Sequence, residues 1–242
     1  MFVIMEKRLF YLVSTIMIAV LILIAIFVKD DPENMKNSND SMKTRDRIEL
    51  PEPEHVGSSF EEVLAKRRSE RDYEDGDITL EELSQILWSA QGITDPERGF
   101  RATPSAGATY PLEVLIDIQG VRGLEPGIYE YEPERHSLAL KTAGSERELI
   151  YQAALRQEPV KSAPVLIVIT GVYDRITPRY GERGVMYTHI EAGHASQNIY
   201  LQATSLGLGT VAIGAFENDR LKEILKTEAE PLYLMPIGRA DR

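Results

Sequence analysis

Arg67-Arg68-Ser69-Glu70-Arg71-Asp72-Tyr73 is the stretch on which the reading of this chain turns. Three guanidiniums and one hydroxyl fall within the five positions 67 to 71. Arg stays charged in a protein, and its planar fork matches the spacing of phosphate oxygens. The chain as a whole carries a net charge of -11, so a local concentration of Arg points to a small, doubly charged anion held here. The plainer alternative is a solvated, charged end to the helix that starts near Ser58. The cluster by itself leaves both open.

Composition narrows the field. The 242 residues are 43% hydrophobic, enough for one sizeable domain with additions. No basic stripe relieves the acidity, which argues against a nucleic-acid partner and against electrostatic adhesion of the main domain to anionic lipid. Cysteine is absent. That removes disulfides, thiolate nucleophiles, thiolate-ligated zinc and Cys-bound iron–sulfur clusters. Redox chemistry in such a chain requires a bound cofactor.

After a short tail of residues 1–8, Leu9 to Val28 reads LFYLVSTIMIAVLILIAIFV, without a charge. A helix of that length spans roughly 30 Å, the thickness of a hydrocarbon core. Residues 9–28 are therefore expected to be a single transmembrane anchor in the lipid bilayer. A cleaved signal peptide is the competing reading, but its apolar region is usually shorter, and no small-x-small cleavage site stands near Phe27. Basic residues flank both ends, Lys7 and Arg8 before and Lys29 after, so the side of the membrane stays open. Residues 29–57 are rich in Asp, Glu, Asn, Ser, Lys and Pro, and read as a flexible linker to a domain over 58–242.

Within that domain, Ser58-Ser59-Phe60-Glu61-Glu62 predicts a helix start running to about Arg67. Thr79-Leu80-Glu81-Glu82 predicts a second, ended by Gln91-Gly92, with Trp88 in the core. Leu112 to Ile118 is a strand; Gly127 to Tyr131 and Ser137 to Lys141 form a hairpin; Glu146 to Leu155 is helical. Pro164 to Gly171 (PVLIVITG) is a continuous apolar run, the mark of a strand buried on both faces. Glu182 to Leu206 is a long helix, apolar on several sides, and Gly207 stops it. A short strand over Thr210 to Ile213, a helix Asp219 to Lys226 capped by Asn218, and a last strand Leu232 to Ile237 complete the order. Mixed helices and strands with hairpin insertions give an α+β class built on a central sheet.

Six segments in this order resemble the nitroreductase-like FMN flavoprotein family, in particular its SagB/ThcOx-type thiazoline/oxazoline dehydrogenase branch. They are RRSERDY from Arg67, ITLEELSQILWSAQGI from Ile78, TPSAGATYPLE from Thr103, GLEPGIYEYEPERH from Gly123, YGERGVMYTHIEAGHASQNIYLQATSLGLGTVAIGAF from Tyr180, and PLYLMPIGR from Pro231. The resemblance implies an antiparallel-rich sheet flanked by helices, in an intertwined homodimer with FMN at the subunit interface. It places Arg67, Arg68, Ser69 and Arg71 on the FMN phosphate and ribityl chain, with Arg239 as a second phosphate contact. Pro104, Ser105, Ala106 and Gly107 match the loop that packs on the flavin of the partner subunit. Ile213, Gly214 and Ala215 match the segment beside the isoalloxazine, where a backbone amide can reach N5. NAD(P)H is a candidate electron donor. The azoline-oxidising members carry a Lys-Tyr pair ahead of the long helix; here Arg179 and Tyr180 stand there. Arg cannot serve as a base, which leaves Tyr180 as the candidate catalytic acid or base.

Other constellations are weaker. His189 and His194 lie five apart, about 140° round a helix, so no metal pair forms with Glu191 and no metal is expected. Gly207-Leu208-Gly209 follows a helix rather than a strand, unlike a dinucleotide fingerprint. Two functions remain: a membrane-anchored FMN oxidoreductase passing hydride through flavin N5 to or from a small-molecule or peptide-azoline substrate, or a tethered flavin-binding module without turnover.

Overall fold

The computed structural model of the chain describes residues 47–54 and 58–240. The expected anchor at 9–28 lies outside the described residues, and among those described no helix is long and apolar enough to cross a membrane. Ten strands appear in chain order: β1 Arg47–Glu49, β2 Tyr73–Glu74, β3 Ile93–Asp95, β4 Phe100–Arg101, β5 Leu112–Ile118, β6 Gly127–Glu132, β7 Ser137–Ala143, β8 Val165–Gly171, β9 Leu208–Thr210 and β10 Glu230–Ala240. The helices are α1 Phe60–Lys66, α2 Leu80–Gln91, α3 Arg147–Ala153, α4 Glu158–Ser162, α5 Thr177–Tyr180, α6 Arg183–Ser205 and α7 Asn218–Leu225. Eight strands make one sheet in the order β1-β7-β6-β5-β8-β10-β2, with β9 also on β10. Every strand pair in it is antiparallel.

All seven residues of β8 are buried. Side chains alternate between the faces of a strand, so each face needs its own cover. Val165, Ile167 and Ile169 join a core with Leu83, Ile86 and Leu87 of α2 and Ala192, Ala195 and Ile199 of α6. Leu166 and Val168 join a second core with Ile150 and Ala153 of α3, Val160 of α4, and Leu221 and Leu225 of α7. The apolar run is thus buried on both faces, as its sequence indicates, although both of its neighbours run antiparallel to it.

The second core is closed by a buried ion pair. Arg147, at the start of α3, is 2% exposed and Asp117 of β5 is wholly buried. Arg147 Nε donates to Asp117 Oδ2 at 2.6 Å, and its Nη atoms donate to the carbonyls of Asp117, Val160 and Ala163. Ser145 Oγ donates to Asp117 at 3.0 Å. Burial pulls the Arg147 guanidinium below its ordinary value while Asp117 pushes it back up. With these donors in place, the cost of taking both charges out of water is offset.

Helix starts follow local chemistry. Ser59 accepts from Glu62 N, and Thr79 and Glu82 form a capping box at α2. Five expectations are corrected. The linker expected over 29–57 ends earlier: Arg47–Glu49 is an edge strand on β7, Leu50 enters the core, and Arg47 pairs with Glu132 at 2.7 Å. Ile48 and Leu50 alternate inside a polar segment, a strand signal too short to outweigh its surroundings. Asn218 does not cap α7; Glu217 stands at the N-cap, and Asn218 donates its side-chain amide to Glu230 and to the Pro231 carbonyl. Trp88 is half-buried, beside Phe60 and Val63 of α1, rather than in the core. The short strand starts earlier, at Leu208, and the last strand is longer at both ends, because β8, β9 and β2 each pair with part of it.

Replacing Asp117 by Ala leaves Arg147 buried without a carboxylate. We expect a loss of about 3–5 kcal/mol in urea unfolding, the usual cost of breaking a buried pair. A loss within the range of an ordinary surface change would show that this pair does not close the second core.

Candidate functional site

The Arg cluster leaves the end of α1 as an extended segment. Arg67 is the C-cap, and its N–H bonds back to Val63. Arg68 turns its Nη1 onto the carbonyls of Ala65 and Arg67, at 3.0 and 2.7 Å, and so closes the helix end. For Arg68 the plain reading, a charged helix terminus, describes what the side chain does. Arg67 instead lies over the ring of Tyr200, 5.2 Å from its centroid. Ser69 Oγ is 3.0 Å from the Tyr200 hydroxyl. Arg71 is exposed.

Tyr200 connects this segment to another. It sits on the inner face of α6, and its hydroxyl accepts from the backbone N–H of Ala212 at 2.8 Å. Glu70 N donates to the Thr210 carbonyl at 2.9 Å. Residues 67–70 and 210–213 therefore meet across one phenol, although some 140 positions separate them. Beyond Ala212, Ile213 is buried and exchanges both backbone hydrogen bonds with Leu234 at 2.9 Å, while Gly214 and Ala215 are exposed. Gly214 opens onto a cavity of about 410 Å³, also lined by Tyr173, His189, Phe216, Leu232 and Tyr233. Across that cavity the Tyr173 hydroxyl and His189 Nε2 are 2.7 Å apart.

Arg239 is placed differently from expectation. It lies on β10 opposite Glu74 of β2 and Leu208 of β9. Both of its terminal nitrogens are taken by Glu82, at 2.6 and 2.7 Å, and Nη2 also donates to the Asp77 carbonyl. Glu82 is also the capping-box acid of α2. A phosphate reaching Arg239 has to compete with that carboxylate.

The loop from Thr103 to Pro111 forms the second group. Thr103 Oγ1 donates to the Ala90 carbonyl at 2.7 Å, and Asn198 of α6 donates to Thr103 Oγ1 and to the Ser89 carbonyl. Ser105 Oγ accepts from Tyr110 N at 2.9 Å. Pro104 is exposed, and Ala106–Ala108 make one 3₁₀ turn. Gly107, Ala108 and Tyr110 all have positive φ, +62°, +53° and +45°. Such a concentration of left-handed residues is held only where the surroundings enforce it. The enforcement comes from α5: Arg179 Nη1 donates to the Gly107 carbonyl at 3.0 Å. A Cβ on Gly107 would lie 2.6 Å from the Tyr180 hydroxyl and 2.7 Å from Arg179 Nη1. The ring of Tyr180 meets Tyr187 edge-on at 5.2 Å.

The structure thus gathers Arg67, Ser69 and Ala212 around Tyr200, with Ile213 turned into the second core, and Pro104, Ser105, Ala106, Gly107 and Tyr180 in a second group; α6 reaches both. Two residues that sequence reasoning passed over stand at these junctions. Tyr200 falls on the face that carries Ala192, Ala195, Ile199 and Ala203, and a phenol among such neighbours needs a polar partner. Glu191, set aside as a metal ligand, is 2% exposed and faces Ser105 and Arg101. Neither of its oxygens has a hydrogen-bond partner among the described residues. Burial pushes its carboxyl up to about 7, against smaller downward pulls from Ser105 and Arg101. His189 bonds Tyr173 and His194 is exposed; among the described residues no cluster of three His, Cys, Asp or Glu is placed to hold a metal ion.

Known proteins resemble this chain along most of its length. Residues 64–239 match the Nitroreductase family. A Methanocaldococcus jannaschii protein carrying a provisional nitroreductase name is 50% identical over 195 residues, covering 79% of this chain and 96% of that protein. The trifolitoxin operon protein TfxC of Rhizobium leguminosarum is 24% identical over 227 residues, covering 87% of this chain and 64% of that protein. Among solved structures, a provisionally named nitroreductase from Ralstonia eutropha superposes with a TM-score of 0.71 at 27% identity, over 81% of this chain and 90% of the other.

Gly107→Ala should strain the loop through its positive φ, while the ends of the Tyr180 and Arg179 side chains can move aside. We expect a loss of roughly 1–3 kcal/mol in chemical denaturation. Wild-type stability in that variant would mean that the turn does not need a left-handed glycine at 107.

Proposed function

We propose, from the premise that this chain belongs to the nitroreductase family, that its Arg cluster and the segment 212–215 hold FMN. The chain is an oxidoreductase of that family. The observation that carries the cofactor reading is the meeting of Arg67, Ser69 and the Ala212 backbone N–H at Tyr200.

The residues present fit the cofactor. In an acidic chain, neither Arg67 nor Arg71 has a carboxylate partner among the described residues, so both can meet a phosphate near two negative charges. Ser69 is exposed beside them. Arg68 and Arg239 are already engaged and contribute charge at longer range. The exposed backbone of Gly214 and Ala215 can offer N–H donors to a ring edge, while the Ile213 side chain packs into the second core and fixes that segment. When bound, FMN supplies hydride transfer at N5.

The chain's own residues would do the rest. Tyr200 fixes the distance between the phosphate-binding segment and the ring-binding segment. Pro104–Gly107 packs on the flavin of a second subunit in a homodimer. The outer face of α6 supports such an assembly: Met186 and Ile190 are 42% and 48% exposed, and nothing lies within 4 Å of a Cβ built on Gly193. Tyr180, beside that loop, holds or moves a proton at its hydroxyl, while Arg179 holds the Gly107 carbonyl. NAD(P)H is the electron donor we would test first. The relation to TfxC favours the SagB/ThcOx-type branch, with a small-molecule or peptide-azoline substrate. Residues 9–28 would tether the enzyme to a membrane.

The full-length chain, expressed with ample riboflavin, should purify yellow and as a dimer. Arg67→Ala with Arg71→Ala should weaken FMN binding by about 100-fold or more, through loss of two charge-assisted contacts. Colourless wild-type protein, or a double variant that keeps its flavin, would refute this site.

A further inference from the structure

The turn between α3 and α4 is bonded to the segment 215–217, and no part of the proposed chemistry uses it. α3 ends in a six-to-one cap: Arg156 N donates to the Tyr151 carbonyl at 2.9 Å, and Leu155 N donates to the Gln152 carbonyl at 3.3 Å. Glycine is the usual residue at the left-handed position of such a cap. Here Leu155 and Arg156 are both left-handed, each with a φ of +56°. Two residues with side chains in that region are unfavourable, and persist only where neighbouring structure holds them.

The strained cap delivers the next residue, Gln157. Its Nε2 donates one hydrogen to the Ala154 carbonyl at 3.0 Å and the other to the Ala215 carbonyl at 2.9 Å. Carbonyl oxygens only accept, so the nitrogen of the side-chain amide is the atom that must face them. Two further bonds run beside this one. Glu217 N donates to the Ala153 carbonyl at 2.9 Å, and Arg220 Nη2 donates to Gln152 Oε1 at 2.9 Å. The apolar side of the same junction is the second core, where Ile150, Ala153 and Ala154 lie with Ile213, and Phe216 packs against them.

The bond to Ala215 fixes more than one atom. A peptide unit is planar and trans, so its N–H points opposite to its C=O. By taking the Ala215 carbonyl, Gln157 turns the Phe216 N–H away from the α3–α4 turn. The N–H groups of Gly214, Ala215 and Phe216 have no protein acceptor among the described residues. Gly214 and Phe216 also line the cavity of about 410 Å³. We propose that Gln157 is a positioning residue: it sets the plane of the 215–216 peptide, and with it the direction in which this run of N–H donors meets a ligand. That the ligand is the flavin ring rests on the function proposed above; the setting of the peptide plane does not.

The test is Gln157→Met in the full-length protein, a change that keeps the length of the side chain and removes its donor without adding charge. Without flavin, amide hydrogen exchange at Glu217 should quicken by roughly ten-fold, and the Ala215 carbonyl-carbon resonance should move upfield as it loses its donor. Exchange within β8 should stay as in the wild type, which separates a local loosening from general destabilisation. With FMN bound, the preference for the reduced ring should fall by roughly ten-fold, a negative shift of about 30 mV in a two-electron midpoint potential. Wild-type exchange at Glu217 with an unmoved Ala215 resonance would overturn the proposal. So would a loosening that reaches β8 in equal measure, or a bound flavin whose potential does not move. Protein that binds no FMN would refute the proposed function, and the two flavin-free readings would still decide whether Gln157 sets the peptide.

Discussion

The architecture depends on one strand having to be covered twice. Val165–Gly171 is apolar at nearly every position, and a strand sends alternate side chains to opposite faces. One face is covered by α2 and α6, the other by α3, α4 and α7. β5 and β10 flank it, so neither edge of β8 is open. Once β8 is fixed, the long helix must lie across the sheet with its small residues inward, and the C-terminal end of β10 is left to collect β9 and β2.

The site is a consequence of that placement. α6 runs for 23 residues, long enough for one helix to serve two distant pieces of chain. Near its C-terminal end, Tyr200 ties Ser69 to Ala212. Asn198 anchors Thr103, and Glu191 faces Ser105 from a position two helical turns earlier. A rigid helix therefore sets the relation between the segment that carries the Arg cluster and the loop that carries backbone strain. Neither segment has enough regular structure to hold its own position: one is an extended exit from α1, the other a 3₁₀ turn with three left-handed residues.

The Arg side chains show how the same residue type divides into different uses. Arg68 closes a helix end, Arg147 sits in the second core, Arg239 is locked to Glu82, and Arg179 holds a loop carbonyl. Arg67 and Arg71 are the members of the 67–71 cluster whose guanidiniums make no bond to a protein oxygen among the described residues. The sequence cluster thus overstates how many guanidiniums stay without a protein oxygen among the described residues. Carboxylates distant in the chain decide which guanidiniums stay available, and spacing along the chain does not report them.

Local chemistry was enough to place the capped helices at Ser59 and Thr79, the buried run of β8, the hairpin of β6 and β7, and the long helix, because each is written in period, capping residues or turn residues within a dozen positions. The Arg cluster and the loop at Thr103 were also visible as unusual composition. What the sequence could not supply was who meets whom: that Leu50 would enter the core from an otherwise polar segment, that Glu82 would take Arg239, that Tyr200 would join Ser69 to Ala212, and that Glu191 would end up dry behind Ser105. Those pairings rest on burial and on contacts between residues far apart in the chain, and such contacts exist only once the sheet and α6 have closed on each other.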